Sequence, residues 1–180
     1  MKQKKCKVCQ ELFTPIQFAQ TACGYKCAII HSKNLKLQKE LKDWKVEKAI
    51  LKDKLKTLGQ YEAEAKKSFQ KWIRMRDDKQ PCISCGIEQT DLWDGGHYKK
   101  AEIYSGVIFD ENNCHKQCRK CNRFLNGNEL NYRQGLIQRY GIDFADQIEQ
   151  KANETRNQKF TKEELIAKKL KYDLLIKEKK

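Results

Sequence analysis

Cys82-Ile-Ser-Cys85, Asp94-Gly-Gly-His97 and Cys118-Arg-Lys-Cys121-Asn122 follow one another in a single segment of the chain. Two C-x2-C pairs in one segment have the spacing of a tetrahedral zinc site with four thiolate ligands. Asn122 follows a ligand directly, so a zinc knuckle would hold it in one orientation, able to present an amide oxygen to a hard divalent cation. His97 is the best general base of the segment. Neutral imidazole near pH 7 accepts a proton, an assistance worth roughly 10²–10⁴-fold in rate. Gly95 and Gly96 let the backbone before it turn tightly and approach a phosphate. A base, a cation at a phosphate and relief of charge on the leaving oxygen are together what phosphodiester hydrolysis needs. Lys99, Lys100, Arg119 and Arg123 surround these positions and suit the flanking phosphates of DNA.

Each of these residues also has a plainer reading. Asp94 is the nearest carboxylate for the cation, held with Asn122, but Asp-Gly is also a strong turn dipeptide. Asn122 alternatively caps a helix at the knuckle, and His97 alternatively plays a structural part. His115 is expected to pack against the sheet or touch phosphate rather than serve as base. Cys114 is expected to be a small buried apolar residue.

The rest of the chain must position these groups. Eight of nine cysteines fall into pairs, the other two being Cys6/Cys9 and Cys23/Cys27. The start Met1-Lys-Gln-Lys-Lys has no apolar core of a signal peptide, which points to a reducing cytoplasm where thiolates hold metal. Two structural zinc ions are the natural count. Cys6, Cys9, Cys23 and Cys27 suggest a treble-clef or ribbon-like finger over residues 1–31, with a hairpin between the pairs carrying Leu12, Phe13 and Phe18. His31 is an alternative fourth ligand. Thirty-eight Lys+Arg against 24 Asp+Glu give a net charge of +14, which favours a polyanionic partner, nucleic acid before anionic membrane. No apolar run approaches the roughly 20 residues of a membrane span. At 39% hydrophobic residues in 180 a single large core is not expected, and bound zinc, at about 10–16 kcal/mol per site in finger peptides, makes up the difference.

Most of the chain reads as helix, with β structure only around the zinc ions. Residues 32–78 form a basic helical region. Its first helix runs from Ser32 to about Leu58 and carries nine lysines against four acids over residues 33–56. Leu37, Leu41, Trp44, Leu51, Leu55 and Leu58 follow heptad-like steps, suited to docking on a neighbouring helix or to a homodimeric coiled coil. Gly59 is expected to break this helix before a second one from Tyr61 to Asp77. The catalytic segment occupies residues 79–135. C-terminal helices fill 136–180, with Gly141 ending one and Thr161-Lys-Glu-Glu164 capping the last.

The catalytic segment resembles a zinc-stabilised HNH (ββα-metal) nuclease. That likeness implies that Asn113, five residues before Cys118, sits between two strands and orients the histidine strand by hydrogen bonds. Cys82-Ile-Ser-Cys-Gly86, Trp93-Asp-Gly-Gly-His-Tyr98, Phe109-Asp-Glu-Asn-Asn113, His115-Lys-Gln-Cys-Arg-Lys-Cys-Asn122 and Gly127-Asn128 resemble the lambdoid-phage NinG (Rap) recombination endonucleases. The N-terminal four-cysteine module and the basic helical stretch are similar to that family too. The resemblance implies a mainly α protein with small zinc-bound β elements, cutting branched DNA such as Holliday junctions and D-loops with Mg²⁺ or Mn²⁺. The cysteine–asparagine ending is also similar to phage endonuclease VII-type resolvases. Those carry aspartate immediately before the histidine, where this chain has Gly96. Two rival readings are a non-catalytic two-zinc DNA-binding module and an HNH nuclease with another nucleic-acid target.

Overall fold

The computed structural model describes residues 2–179 and divides the chain into two units, 1–56 and 57–180. It is mainly helical, with one small antiparallel strand pair beside each four-cysteine group.

In the first unit β1 (Lys4–Lys5) pairs with β2 (Leu12–Phe13), Lys4 opposite Phe13 and Lys5 opposite Leu12. The hairpin expected between the two cysteine pairs therefore lies around the first pair instead. The reason is local. The Cys6–Cys9 knuckle is itself the turn, closed by Cys6 N–H donating to the Glu11 carbonyl at 2.9 Å and by Gln10 at φ 63°. Leu12 and Phe18 stay exposed. Helix α1 (Tyr25–Lys54) begins inside the finger, so Cys27 lies in its first turn and no boundary falls at residue 31. No residue of α1 is buried, and Leu37, Leu41, Trp44 and Leu51 of the expected seam are all exposed.

The second unit opens with α2 (Leu58–Arg76). The break expected at Gly59 occurs earlier. Thr57 caps the helix through Gln60, placing Gly59 in the first turn, where N–H groups lack helical partners in any case. Tyr61, Ala65, Phe69 and Ile73, each four residues apart, make one buried stripe. A helix puts such residues on one face. The next elements are β3 (Trp93–His97) and β4 (Cys114–Cys118), antiparallel, with Trp93 opposite Cys118 and His97 opposite Cys114. Then come a π-turn over Lys120–Phe124, α3 (Glu129–Tyr140), α4 (Ile142–Glu154) and α5 (Lys162–Glu178). Gly141 at φ 94° ends α3, and the Thr161/Glu164 capping box opens α5, both as the sequence indicates.

Two apolar clusters hold the strand pair in place. The α2 stripe packs with Ile108, Phe109, Cys114, Leu165 and Tyr172, the Phe69 ring lying edge-on to Tyr172 at 5.0 Å. Ile83, Tyr98, Tyr132, Leu136, Ala145 and Ile148 form the other cluster. At the end of α2, Asp77 accepts from Arg76 Nε at 2.7 Å and from Lys116 N–H at 2.9 Å. Arg76 in turn donates to the Glu111 and Cys114 carbonyls, each at 2.8 Å. This joint fixes β4 against the helix. No helix among the described residues is long and apolar enough to cross a membrane.

Candidate metal centres and active-site cleft

The sulfurs of Cys6, Cys9, Cys23 and Cys27 lie within 4.8 Å of one another, and so do those of Cys82, Cys85, Cys118 and Cys121. The Cys9–Cys23 and Cys85–Cys118 separations are 3.6 and 3.8 Å. Tetrahedral zinc with bonds near 2.3 Å needs sulfurs about 3.8 Å apart, so both groups can hold the ion. Neither group includes a histidine, which leaves His31 outside the first. Backbone N–H groups point at the sulfurs: Cys118 N–H at Cys82 Sγ (3.3 Å), Cys121 N–H at Cys118 Sγ (3.4 Å) and Cys23 N–H at Cys6 Sγ (3.4 Å). Such donors favour thiolate. The N–H groups of Val8 and Cys9 pull the Cys6 thiol down to about 6, while the neighbouring sulfurs push Cys23 up to about 12, so the first group shares out its protons unevenly.

His97 ends β3. Its Nε2 lies 2.8 Å from the Ile108 carbonyl, which can only accept, so Nε2 carries the proton and Nδ1 keeps its lone pair. Burial, with Lys66 adding to it, lowers the affinity of the ring for a second proton. The histidine is thus held neutral, with Nδ1 the nitrogen that keeps its lone pair. Asn113 is fully buried and clamps the loop that supplies that carbonyl. Its Oδ1 accepts from Lys99 N–H at 2.8 Å, and its Nδ2 donates to the Lys99 and Val107 carbonyls at 3.0 and 3.1 Å. It lies directly before β4, in the segment that joins the two strands.

Asn122 rides on the π-turn immediately after Cys121. Its Nδ2 donates to Asp94 Oδ2 at 3.1 Å; a carboxylate cannot donate, so the amide oxygen must face the other way, towards Gly96. Asp94, expected from the sequence to join Asn122 at the cation, meets three side chains here. The carboxylate is buried and turned to Asn122, to Arg123 Nε at 3.1 Å and to Arg119 at 3.9 Å. It orients the asparagine and balances two guanidinium charges.

His97 and Asn122 line one cleft of about 360 Å³, together with Lys66 and Gln70 of α2, Gly95 and Lys100. Glycine suits position 95, because a Cβ there would sit 3.1 Å from the Gln70 backbone, a tight contact. Of the four cations expected at phosphates, Lys100 lines the cleft, Lys99 is paired with Glu129 at 2.7 Å, and Arg119 and Arg123 face Asp94. Lys66 and Gln70 escape sequence reasoning, since only the packing of α2 on β3 brings them to the histidine. Gln117 escapes it too. Its side chain is completely buried, yet its Oε1 has no hydrogen-bond partner. His115 is a core residue. Burial and Arg76 push it down to about 3, and its Nδ1 meets Tyr132 Oη at 3.1 Å. Tyr132 donates onward to the Gly96 carbonyl at 2.9 Å. Cys114 is fully buried, which raises its thiol, as its apolar reading requires.

These features define a mainly helical, cysteine-rich protein with two candidate zinc centres, one of which carries a histidine–asparagine cleft. The family model described as Bacteriophage Lambda NinG protein matches residues 1–180, and the chain belongs to the NinG family. It is 36% identical to protein ninG of Escherichia phage 933W over 194 residues, covering 98% of this chain and 93% of that one. It is 33% identical to protein ninG of Salmonella phage P22, and 33% to that of Escherichia phage lambda, each over 196 residues with the same coverage. No solved structure matches the chain.

Proposed function

We propose that this protein is a metal-dependent endonuclease that hydrolyses phosphodiester bonds in branched DNA such as Holliday junctions and D-loops, on an HNH-like strand pair stapled by zinc. The observation that carries this reading is the pair of locked orientations on one cleft: His97 tied through Nε2 to Ile108, and Asn122 tied through Nδ2 to Asp94. Both groups are held with their useful atom free, as preorganised catalysis requires. His97 Nδ1 takes the proton from the attacking water. Asn122 Oδ1 would hold a Mg²⁺ or Mn²⁺ ion, and Asp94 keeps that oxygen aimed. A cation held there would relieve charge at the scissile phosphate and leaving oxygen. Lys66 and Lys100 flank the cleft and suit neighbouring phosphates.

The net charge of +14 and the lysines along exposed α1 support a DNA backbone as the partner. A second hollow, about 530 Å³, gathers Lys71, Arg74, Lys116 and Lys179 around Trp93, the same chemistry on another face of the second unit. The choice of branched DNA rests on the family resemblance. The test is incubation of purified protein with a four-way junction, the matching linear duplex and an RNA, with Mg²⁺, Mn²⁺ or chelator. Preferential junction cutting that chelator abolishes is expected. Binding without cutting on any substrate would replace the proposal with a two-zinc DNA-binding module. Faster cutting of duplex or RNA would replace its target.

A further inference from the structure

Gln117 lies on β4 with its neighbours arranged so that the amide has one orientation. Its nitrogen donates to the Gly127 carbonyl and to Ser84 Oγ, both at 2.7 Å. A carbonyl cannot donate, so Gly127 forces the nitrogen towards itself and Oε1 towards Gly96. There Oε1 has no partner, although the side chain is fully buried. An unmet buried acceptor costs roughly 1–3 kcal/mol, so the arrangement calls for a group that is met only in use.

Gly96 is the second half of the arrangement. A Cβ on residue 96 would fall 2.0 Å from Gln117 Oε1 and 3.1 Å from Asn122 Oδ1. Two amide oxygens, each forced outward by an acceptor behind its nitrogen, therefore converge on the space beside a residue that has no side chain. The Gly96 backbone is held there by Tyr132 Oη, itself backed by His115. Arg119 Nε is also buried without a partner, but it is a donor and cannot ligate a cation, and the cleft's own carboxylate, Glu102, faces Lys66 at 3.9 Å. Asp94, the nearby carboxylate, is committed to Asn122, Arg119 and Arg123.

We propose that Gln117 Oε1 and Asn122 Oδ1 are the protein's two ligands to the divalent cation, Asp94 being a positioning residue for Asn122. This deepens the nuclease reading and rests on it. Hard cations accept amide oxygens, and Mg²⁺ commonly completes its shell with water and substrate phosphate. Both protein ligands are neutral, so the charge that holds the cation must come largely from DNA. Cation binding is therefore weak in the free protein and strengthened by bound junction. Gly96 is small because Oε1 occupies the place its side chain would take.

The test uses the full zinc-loaded chain carrying His97→Ala, so that DNA is not consumed. Free Mn²⁺ is measured by electron paramagnetic resonance during titration, with and without a four-way junction. The expected result is Mn²⁺ binding that tightens when junction is present. Adding Gln117→Ala should weaken Mn²⁺ binding by at least about tenfold, the lower end of what even outer-shell ligand partners contribute. Adding Gly96→Asp to that variant places a carboxylate in the vacated space and should restore binding. Zinc content and circular dichroism report folding separately. If Gln117→Ala binds Mn²⁺ like its parent while folded, or if Gly96→Asp fails to rescue a folded variant, Gln117 is structural and the inference is overturned. Wild-type cutting would in either case leave the nuclease reading standing. If the parent binds no Mn²⁺ even with junction, and the wild type does not cut, both fall together.

Discussion

Replacing Asn113 with alanine tests whether the loop behind the histidine is a rigid clamp. The substitution deletes three hydrogen bonds at a fully buried position, leaving Lys99 N–H and the Lys99 and Val107 carbonyls without partners. Each buried orphan costs roughly 1–3 kcal/mol, less where water enters the hole, so a total loss of about 3 kcal/mol is expected. That is a large part of the roughly 5–15 kcal/mol that holds a domain folded. The bond from Tyr98 N–H to the Asn113 carbonyl is main-chain and survives, so the strand pair should persist. The functional consequence follows from Ile108, which sits in the same loop and fixes His97 Nε2. Once the loop loosens, the histidine samples both tautomers, and kcat should fall more than KM. Urea unfolding of zinc-loaded protein gives the stability, and junction-cleavage kinetics give the split. A loss under about 0.5 kcal/mol, the range of an ordinary surface change, would refute the clamp.

Three further outcomes are expected. Burial alone would raise the Asp77 carboxyl, but its bonds to Arg76 and Lys116 N–H hold it below the usual value. Its contribution is therefore full above the unfolded value near 3.9 and is lost as pH falls through the lower folded value. Asp77→Asn should flatten that acid limb in urea titrations across pH, and an unchanged limb would contradict the joint. Metal analysis should return two zinc ions per chain, and stripping the Cys82/Cys85/Cys118/Cys121 ion should abolish the circular dichroism and protease resistance of the β3–β4 region. Among the described residues, half-buried Trp93 is the one apolar side chain packed on that cluster besides its own cysteines, so a strand pair surviving chelation would count against it. Finally, with His97 as the proposed base, cleavage would need it neutral, and its proton affinity is lowered by burial. The rate should rise with pH along a limb lying below the ordinary histidine value of about 6.5, and a limb above that value would be inconsistent.

The cysteine groups, the helix caps and the histidine–asparagine pair were legible in the sequence because each is a local pattern. Thiolate pairs, Thr161 with Glu164, and Gly141 at a helix end all declare themselves within a few residues. The start of α1 was not legible, because the finger's last cysteine already lies on a helix that no breaker separates from the basic stretch. Gly59 misled for the opposite reason, a helix breaker standing in a first turn where Thr57 does the capping. The cleft was half legible. His97 and Asn122 could be named, but Lys66 and Gln70 come to the cleft only through the packing of α2, Gln117 comes beside Gly96 and Asn122 only through the pairing of β4, and Asp94 proves to face arginines that lie beyond it in the chain.

The most direct measurement is cleavage of a four-way junction with Mg²⁺ or Mn²⁺ by the wild type and by His97→Ala side by side, with junction binding and zinc content measured on both. The account predicts that the wild type cuts and that His97→Ala does not, while affinity and zinc stay nearly unchanged. A base acts on the attacking water, whereas ground-state affinity comes from Lys and Arg. Cutting by His97→Ala at the wild-type rate would contradict the assignment of His97 as base. Failure of the wild type to cut any DNA would contradict the nuclease itself.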